Sequence, residues 1–105
     1  MAAKLIWTPQ ARADLIDIYL TIGLQQPQAA ERYLARMEQK AALLFDQPRL
    51  GVRRPEIHPA ARMLIESPYV LLYETEPNTD DGPIQTIEIV RVIDGRRDLR
   101  NLLPV

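Results

Sequence analysis

With 105 residues, no cysteine and a formal net charge of −1, the chain has room for one modest core; disulfides and thiolate metal sites are excluded. A sequence pI near 5.8 argues against a strong nonspecific grip on nucleic acid, which requires a surplus of Lys and Arg to neutralise phosphates. Apolar residues at 47 % and charged residues at 26 % place the chain with soluble globular proteins rather than with disordered or fibrous ones.

The first residues, Met1 to Trp7, carry no long apolar region of the secretory type. No stretch approaches the roughly 20 apolar residues of a membrane span. A cytoplasmic chain without a membrane association is expected, as one domain over residues 1–105, with no internal repeat.

Leu5-Ile6-Trp7 reads as a first strand. Thr8-Pro9 reads as a helix start, with the Thr8 hydroxyl free to cap an orphan N–H and Pro9 suited to the first helical position. Ala11, Leu15, Ile18 and Ile22 then form one apolar stripe, and Gly23 stops the helix. A second helix opens at Gln26-Pro27, carries Ala30, Tyr33, Leu34, Met37, Ala41, Leu44 and Phe45 at three- and four-residue steps, and ends between Gln47-Pro48 and Gly51. The short connection favours an antiparallel helical hairpin.

Val52 to Ala61 reads as a Pro-containing connector. Arg62–Glu66 and Tyr69–Thr75 read as strands around a tight turn at Ser67-Pro68. The segment from Pro77 to Pro83 is dense in turn formers, and Ile84–Ile93 is the longest strand candidate. The expected class is α+β: an N-terminal strand, an antiparallel helical hairpin, then a three-stranded antiparallel meander that completes one sheet, with the hairpin on one face of an antiparallel sheet.

Few residues suggest chemistry. His58 is the only histidine and Ser67 the only serine, so a zinc site would rely on carboxylates and a Ser–His–acid triad has no support; His58 reads as a surface loop residue. Glu66, Glu74, Glu76 and Glu88 could pair for acid–base work, but exposed strands carry such residues routinely. No glycine pattern matches a phosphate loop. The tyrosines and Trp7 fall at apolar positions and read as packing. No cofactor, no metal and no catalytic residue is assigned.

The arginines stand out. Arg53, Arg54, Arg62, Arg91, Arg96, Arg97 and Arg100 populate the second half, which has no lysine. Arg91 alternates in step with Ile87, Ile89 and Ile93, and an arginine on an apolar face needs a carboxylate or a cleft. Its planar fork suits bidentate contact to carboxylate or phosphate. Two readings stay open: a structural ion pair, with Glu66 or Asp98 as partner, and a functional surface.

The ordered set Trp7-Thr8-Pro9-Gln10-Ala11, Asp14-Leu15, Ile18-Tyr19, Pro48 with Leu50-Gly51, Arg53 to Glu56, Arg62, Tyr69-Val70-Leu71-Leu72-Tyr73, Ile89-Val90-Arg91-Val92, Gly95-Arg96-Arg97-Asp98 and Leu102-Leu103 resembles ParE-type toxins of the RelE/ParE toxin–antitoxin superfamily, across nearly the whole chain. One position departs: the family often has histidine before the glycine, where this chain has Asp94. The resemblance implies a RelE/ParE fold and a type II toxin associated with plasmid stabilisation, held in a hetero-oligomer by a ParD-like antitoxin. It also implies DNA gyrase as the target, with no sequence-specific nucleic-acid binding by this chain, and so an inhibitor rather than an enzyme. The alternatives are a ribosome-dependent mRNA endonuclease of RelE type and a degenerate toxin that retains antitoxin binding alone. Arg62, Arg91, Asp94, Arg96, Arg97, Asp98 and Arg100 are the candidate contacts to target or antitoxin.

Overall fold

The computed structural model describes residues 3–96. Strand β1 (Lys4–Trp7) leads into helix α1 (Pro9–Gly23), then helix α2 (Pro27–Ala42), extended by a 3-10 turn at Leu43–Phe45. Four strands follow: β2 (Val52–Arg53), β3 (Arg62–Glu66), β4 (Tyr69–Glu76) and β5 (Thr86–Asp94). They form one five-stranded sheet in the order β1-β5-β4-β3-β2. No helix among the described residues is long and apolar enough to cross a membrane.

The helix starts follow their local chemistry. The Thr8 hydroxyl accepts from the Ala11 N–H at 3.2 Å, and Pro9 occupies the first turn. Such a cap is worth about 1 kcal/mol. Gln26 makes no side-chain capping bond to α2. The two helices pack as a hairpin against one face of the sheet. The core between them is built on Ala11, Met37, Ala41 and Leu44 from the helical layer and Leu64, Leu71, Tyr73, Ile87, Ile89 and Val92 from the strands. A smaller cluster of Ile57, Val70, Leu72 and Ile93 lies on the opposite face. The connector that carries Ile57 covers it.

Three features differ from the sequence reading. The meander β3-β4-β5 is antiparallel, but β1 pairs parallel with β5, with Leu5 opposite Ile87 and Trp7 opposite Ile89, so the sheet is mixed. The connector contributes its own short edge strand, β2, antiparallel to β3.

The third difference is a bulge. Leu72 pairs with Arg91 but Tyr73 pairs with Ile89, so Val90 is the extra residue, and the period-two alternation of β5 shifts there. Ile87 and Ile89 face the helices before it, and Val92 does so after it. Ile93 joins the opposite face. A strict alternation of Ile87, Ile89, Arg91 and Ile93 therefore does not hold. By register, Arg91 shares the face of Leu72 and Ile93.

Candidate functional site

The bulge and the end of β1 set up the main polar feature. β1 stops at Trp7, opposite Ile89, and α1 starts beside the freed edge of β5. The Thr8 N–H donates to the Ile89 carbonyl at 3.1 Å, and the Thr8 hydroxyl lies 3.0 Å from the Ile89 carbonyl and 3.2 Å from that of Val90. One turn further along α1, Asp14 meets the same edge. Its Oδ2 accepts from the Val92 N–H at 2.9 Å and from Arg91 Nε at 2.8 Å. Its Oδ1 accepts from Arg91 Nη2 at 3.2 Å and from Gln10 Nε2 at 3.1 Å.

Asp14 is buried, its side chain 9 % exposed, and the Arg91 side chain is 19 % exposed. The carboxylate satisfies a strand N–H that β1 no longer reaches, and it offsets the charge of the guanidinium at the sheet edge. The carboxylate partner of Arg91 shown among the described residues is thus Asp14. Glu66 instead lies 3.9 Å from Lys40.

At the end of β5, Asp94 sits opposite Tyr69. Its Oδ1 accepts from the Arg96 N–H and Nε, both at 2.9 Å, and the Gly95 N–H donates to the Pro68 carbonyl at 2.8 Å. The Arg96 guanidinium is largely exposed beyond this turn; its pKa is raised above the ordinary arginine value by the hydrogen bond it donates to the Asp94 carboxylate. Tyr69 packs edge-on against Tyr33 of α2, with centroids 5.6 Å apart. Burial, reinforced by the Asp94 charge, pushes its hydroxyl pKa up.

Arg62 belongs elsewhere. It pairs in register with Tyr73, on the helix-facing side, whereas Arg91 pairs with Leu72. The two arginines are separated by the whole of β4 and lie on opposite faces. Arg62 is buried; its Nη1 donates to the Gly51 carbonyl at 2.9 Å and lies 3.4 Å from that of Arg49. Burial, then the nearby Arg53 charge, lowers its pKa. The Tyr73 hydroxyl closes the same corner, accepting from the Gly51 N–H at 2.8 Å and donating to the Pro48 carbonyl at 2.9 Å.

Of the sequence-derived contact candidates, the structure brings Asp94 and Arg96 together, places Arg91 and Arg62 apart from them, and leaves Arg97, Asp98 and Arg100 outside the described residues. His58 Nδ1 lies 3.4 Å from Glu74 Oε2 without the alignment of a hydrogen bond. Among the described residues no group of three His, Cys, Asp or Glu could hold a metal ion.

The family of ParE toxins of type II toxin–antitoxin systems (parDE) matches residues 5–99. The chain belongs to the ParE toxin family. A solved structure described as a chromosomal ParDE toxin–antitoxin system from P. aeruginosa superposes with a TM-score of 0.70 at 25 % identity, covering 89 % of this chain and 96 % of that one. No curated protein matches.

Asp14 is the residue of this ParE-family site that the sequence reading left out. It had a signal. Asp14 follows Ala11 by three residues and precedes Ile18 by four, so it lies within the apolar stripe of α1. An acid there and an arginine within β5 are complementary anomalies. Pairing them needed the parallel placement of β1 beside β5, which no local pattern encodes.

Proposed function

We propose that this ParE-family toxin acts on a protein target, DNA gyrase, and that a ParD-like antitoxin holds it inactive. The observation that carries the choice of a protein target is the engagement of Arg91 on Asp14. Cleaving RNA requires one group to take the 2′-hydroxyl proton, another to protonate the leaving oxygen, and cations aimed at the phosphate. Arg91 is committed to a structural carboxylate, Arg62 to backbone carbonyls, and the Asp94 carboxylate to its own turn. The mildly acidic pI supports the same reading.

Antitoxin binding is supported by the groove between α1 and α2. Leu15, Ile16, Tyr19, Leu34 and Ala35 line it together with the polar side chains of Arg12, Glu31, Glu38 and Gln39. Ile16, Leu20 and Leu24 recur every four residues of the chain from α1 into its cap and stay exposed, which suits an amphipathic partner helix. Arg96, with Arg97, Asp98 and Arg100 beyond it, forms the proposed polar contact with target or antitoxin. Asp94 orients Arg96, and Arg91 acts by holding the scaffold.

Induction of the chain in bacteria, with and without its antitoxin, tests this. Filamentation with a DNA-damage response, relieved by the antitoxin, is expected. Immediate translation arrest with cut mRNA would replace gyrase by the ribosome as target, and unimpaired growth would overturn toxicity itself.

A further inference from the structure

Three guanidinium groups converge on the loop that joins β4 to β5. Arg49 Nε donates to the Thr79 carbonyl at 2.9 Å, and its Nη2 reaches the Gly82 carbonyl at 2.9 Å and the Thr79 hydroxyl at 3.1 Å. Arg53 Nε donates to Asp80 Oδ1 at 2.9 Å and its Nη1 to Asn78 Oδ1 at 2.9 Å; its Nη2 lies 2.8 Å from Asp80. Arg62 Nη2 stands 3.5 Å from the same oxygen.

The charges do not balance. Among the described residues, one carboxylate oxygen, Asp80 Oδ1, serves two arginines, while Arg49 meets only neutral acceptors. Asp80 itself is 83 % exposed, whereas the Arg62 side chain is 93 % buried and its Nε has no partner among the described residues. Arg62 is fixed on β3 and Arg53 on the edge strand β2, and Arg49 sits in the turn just before it. The anion rides on a loop of Asn, Thr, Asp and Gly, and an exposed ion pair holds by only about fivefold in equilibrium constant.

We propose that Arg49, Arg53 and Arg62 form a carboxylate-binding site, presently filled by the chain's own Asp80, whose external ligand is an acidic peptide segment of a partner protein. The occupant already shows the chemistry: a peptide-borne carboxylate gripped side-on by a guanidinium fork. The loop is then a built-in competitor that a segment with several carboxylates displaces. The site lies at the far side of the sheet from Asp94 and Arg96. The inference does not rest on gyrase being the target.

A labelled hexaglutamate peptide titrated at low salt into the intact chain, with anisotropy as readout, tests the site. Asp80→Asn removes the internal competitor and should tighten peptide binding by about tenfold, the equivalent of one charge-assisted contact. Arg49→Gln and Arg53→Gln should each weaken it, and the Arg62 Nε–H resonance should shift on titration, which also reports that the variants are folded. The proposal is overturned if Asp80→Asn binds no better than the unaltered chain. It is equally overturned if the arginine variants bind as well, or if a single-stranded oligonucleotide binds the site and the peptide does not.

Discussion

Asp14 and Arg91 are 77 residues apart in sequence, yet their side chains meet in a side-on pair, and the same carboxylate accepts the Val92 N–H. This joins the first helix to the last strand at the place where β1 ends. Truncating Asp14 removes four acceptor contacts, from Gln10, the Val92 N–H and two Arg91 nitrogens. Asp14→Ala should lower unfolding free energy by about 2 to 3 kcal/mol, below the range for fully buried pairs because Arg91 keeps some solvent contact. Asp14→Asn keeps an acceptor for Val92 and should cost about half as much. The double variant Asp14→Leu/Arg91→Met should recover part of the loss, since no charge is then stranded. Urea midpoints of the four proteins check the order.

The Tyr73 hydroxyl links Pro48 and Gly51. Tyr73→Phe leaves a buried N–H and a carbonyl without it and should cost about 2 kcal/mol. Burial raises the Tyr73 pKa above 10.0, and burial raises that of Tyr69 as well. Both forms of the chain are protonated below pH 10, so the two groups leave stability flat there. Above it the unfolded chain releases these protons first, and stability falls as pH rises toward the folded-state values. Thermal unfolding should therefore shift downward above pH 10, less steeply in Tyr73→Phe.

Gly51 fits beneath the same ring. A Cβ there would lie 2.5 Å from Tyr73 Cε1 and 3.0 Å from the Met63 carbonyl, and neither group swings away freely. Gly51→Ala should destabilise by about 1 to 3 kcal/mol as overpacking, read from the denaturant midpoint. An unchanged midpoint would show that this corner yields.

Glu74 and Glu88 sit directly opposite each other on β4 and β5. Like charges in that position repel. Glu88→Lys should stabilise by about 0.5 kcal/mol, with the gain shrinking as salt is added. Melting temperatures at low and high salt measure both effects.

The elements were largely legible because their signals are local. Thr8-Pro9, the Gly23 stop, Ser67-Pro68 and the turn-rich stretch from Pro77 to Pro83 each carry a backbone preference within a few residues, and α1 and β3 follow them closely. What escaped depends on long-range placement. The Val90 bulge leaves no mark in a run of Ile and Val, yet it decides which face Arg91 takes. Asp14 lay inside the apolar stripe, but its partner is defined only once β1 lies beside β5. Arg49 and Asp80 likewise read as ordinary loop charges until β2 and the β4–β5 loop meet.

The most direct test of the toxin assignment uses purified components: this chain added to DNA gyrase and relaxed plasmid, with supercoiling as readout. Dose-dependent loss of supercoiling, reversed by the antitoxin, is the predicted result. Unimpaired supercoiling, together with mRNA cut on ribosomes by the same preparation, would contradict it.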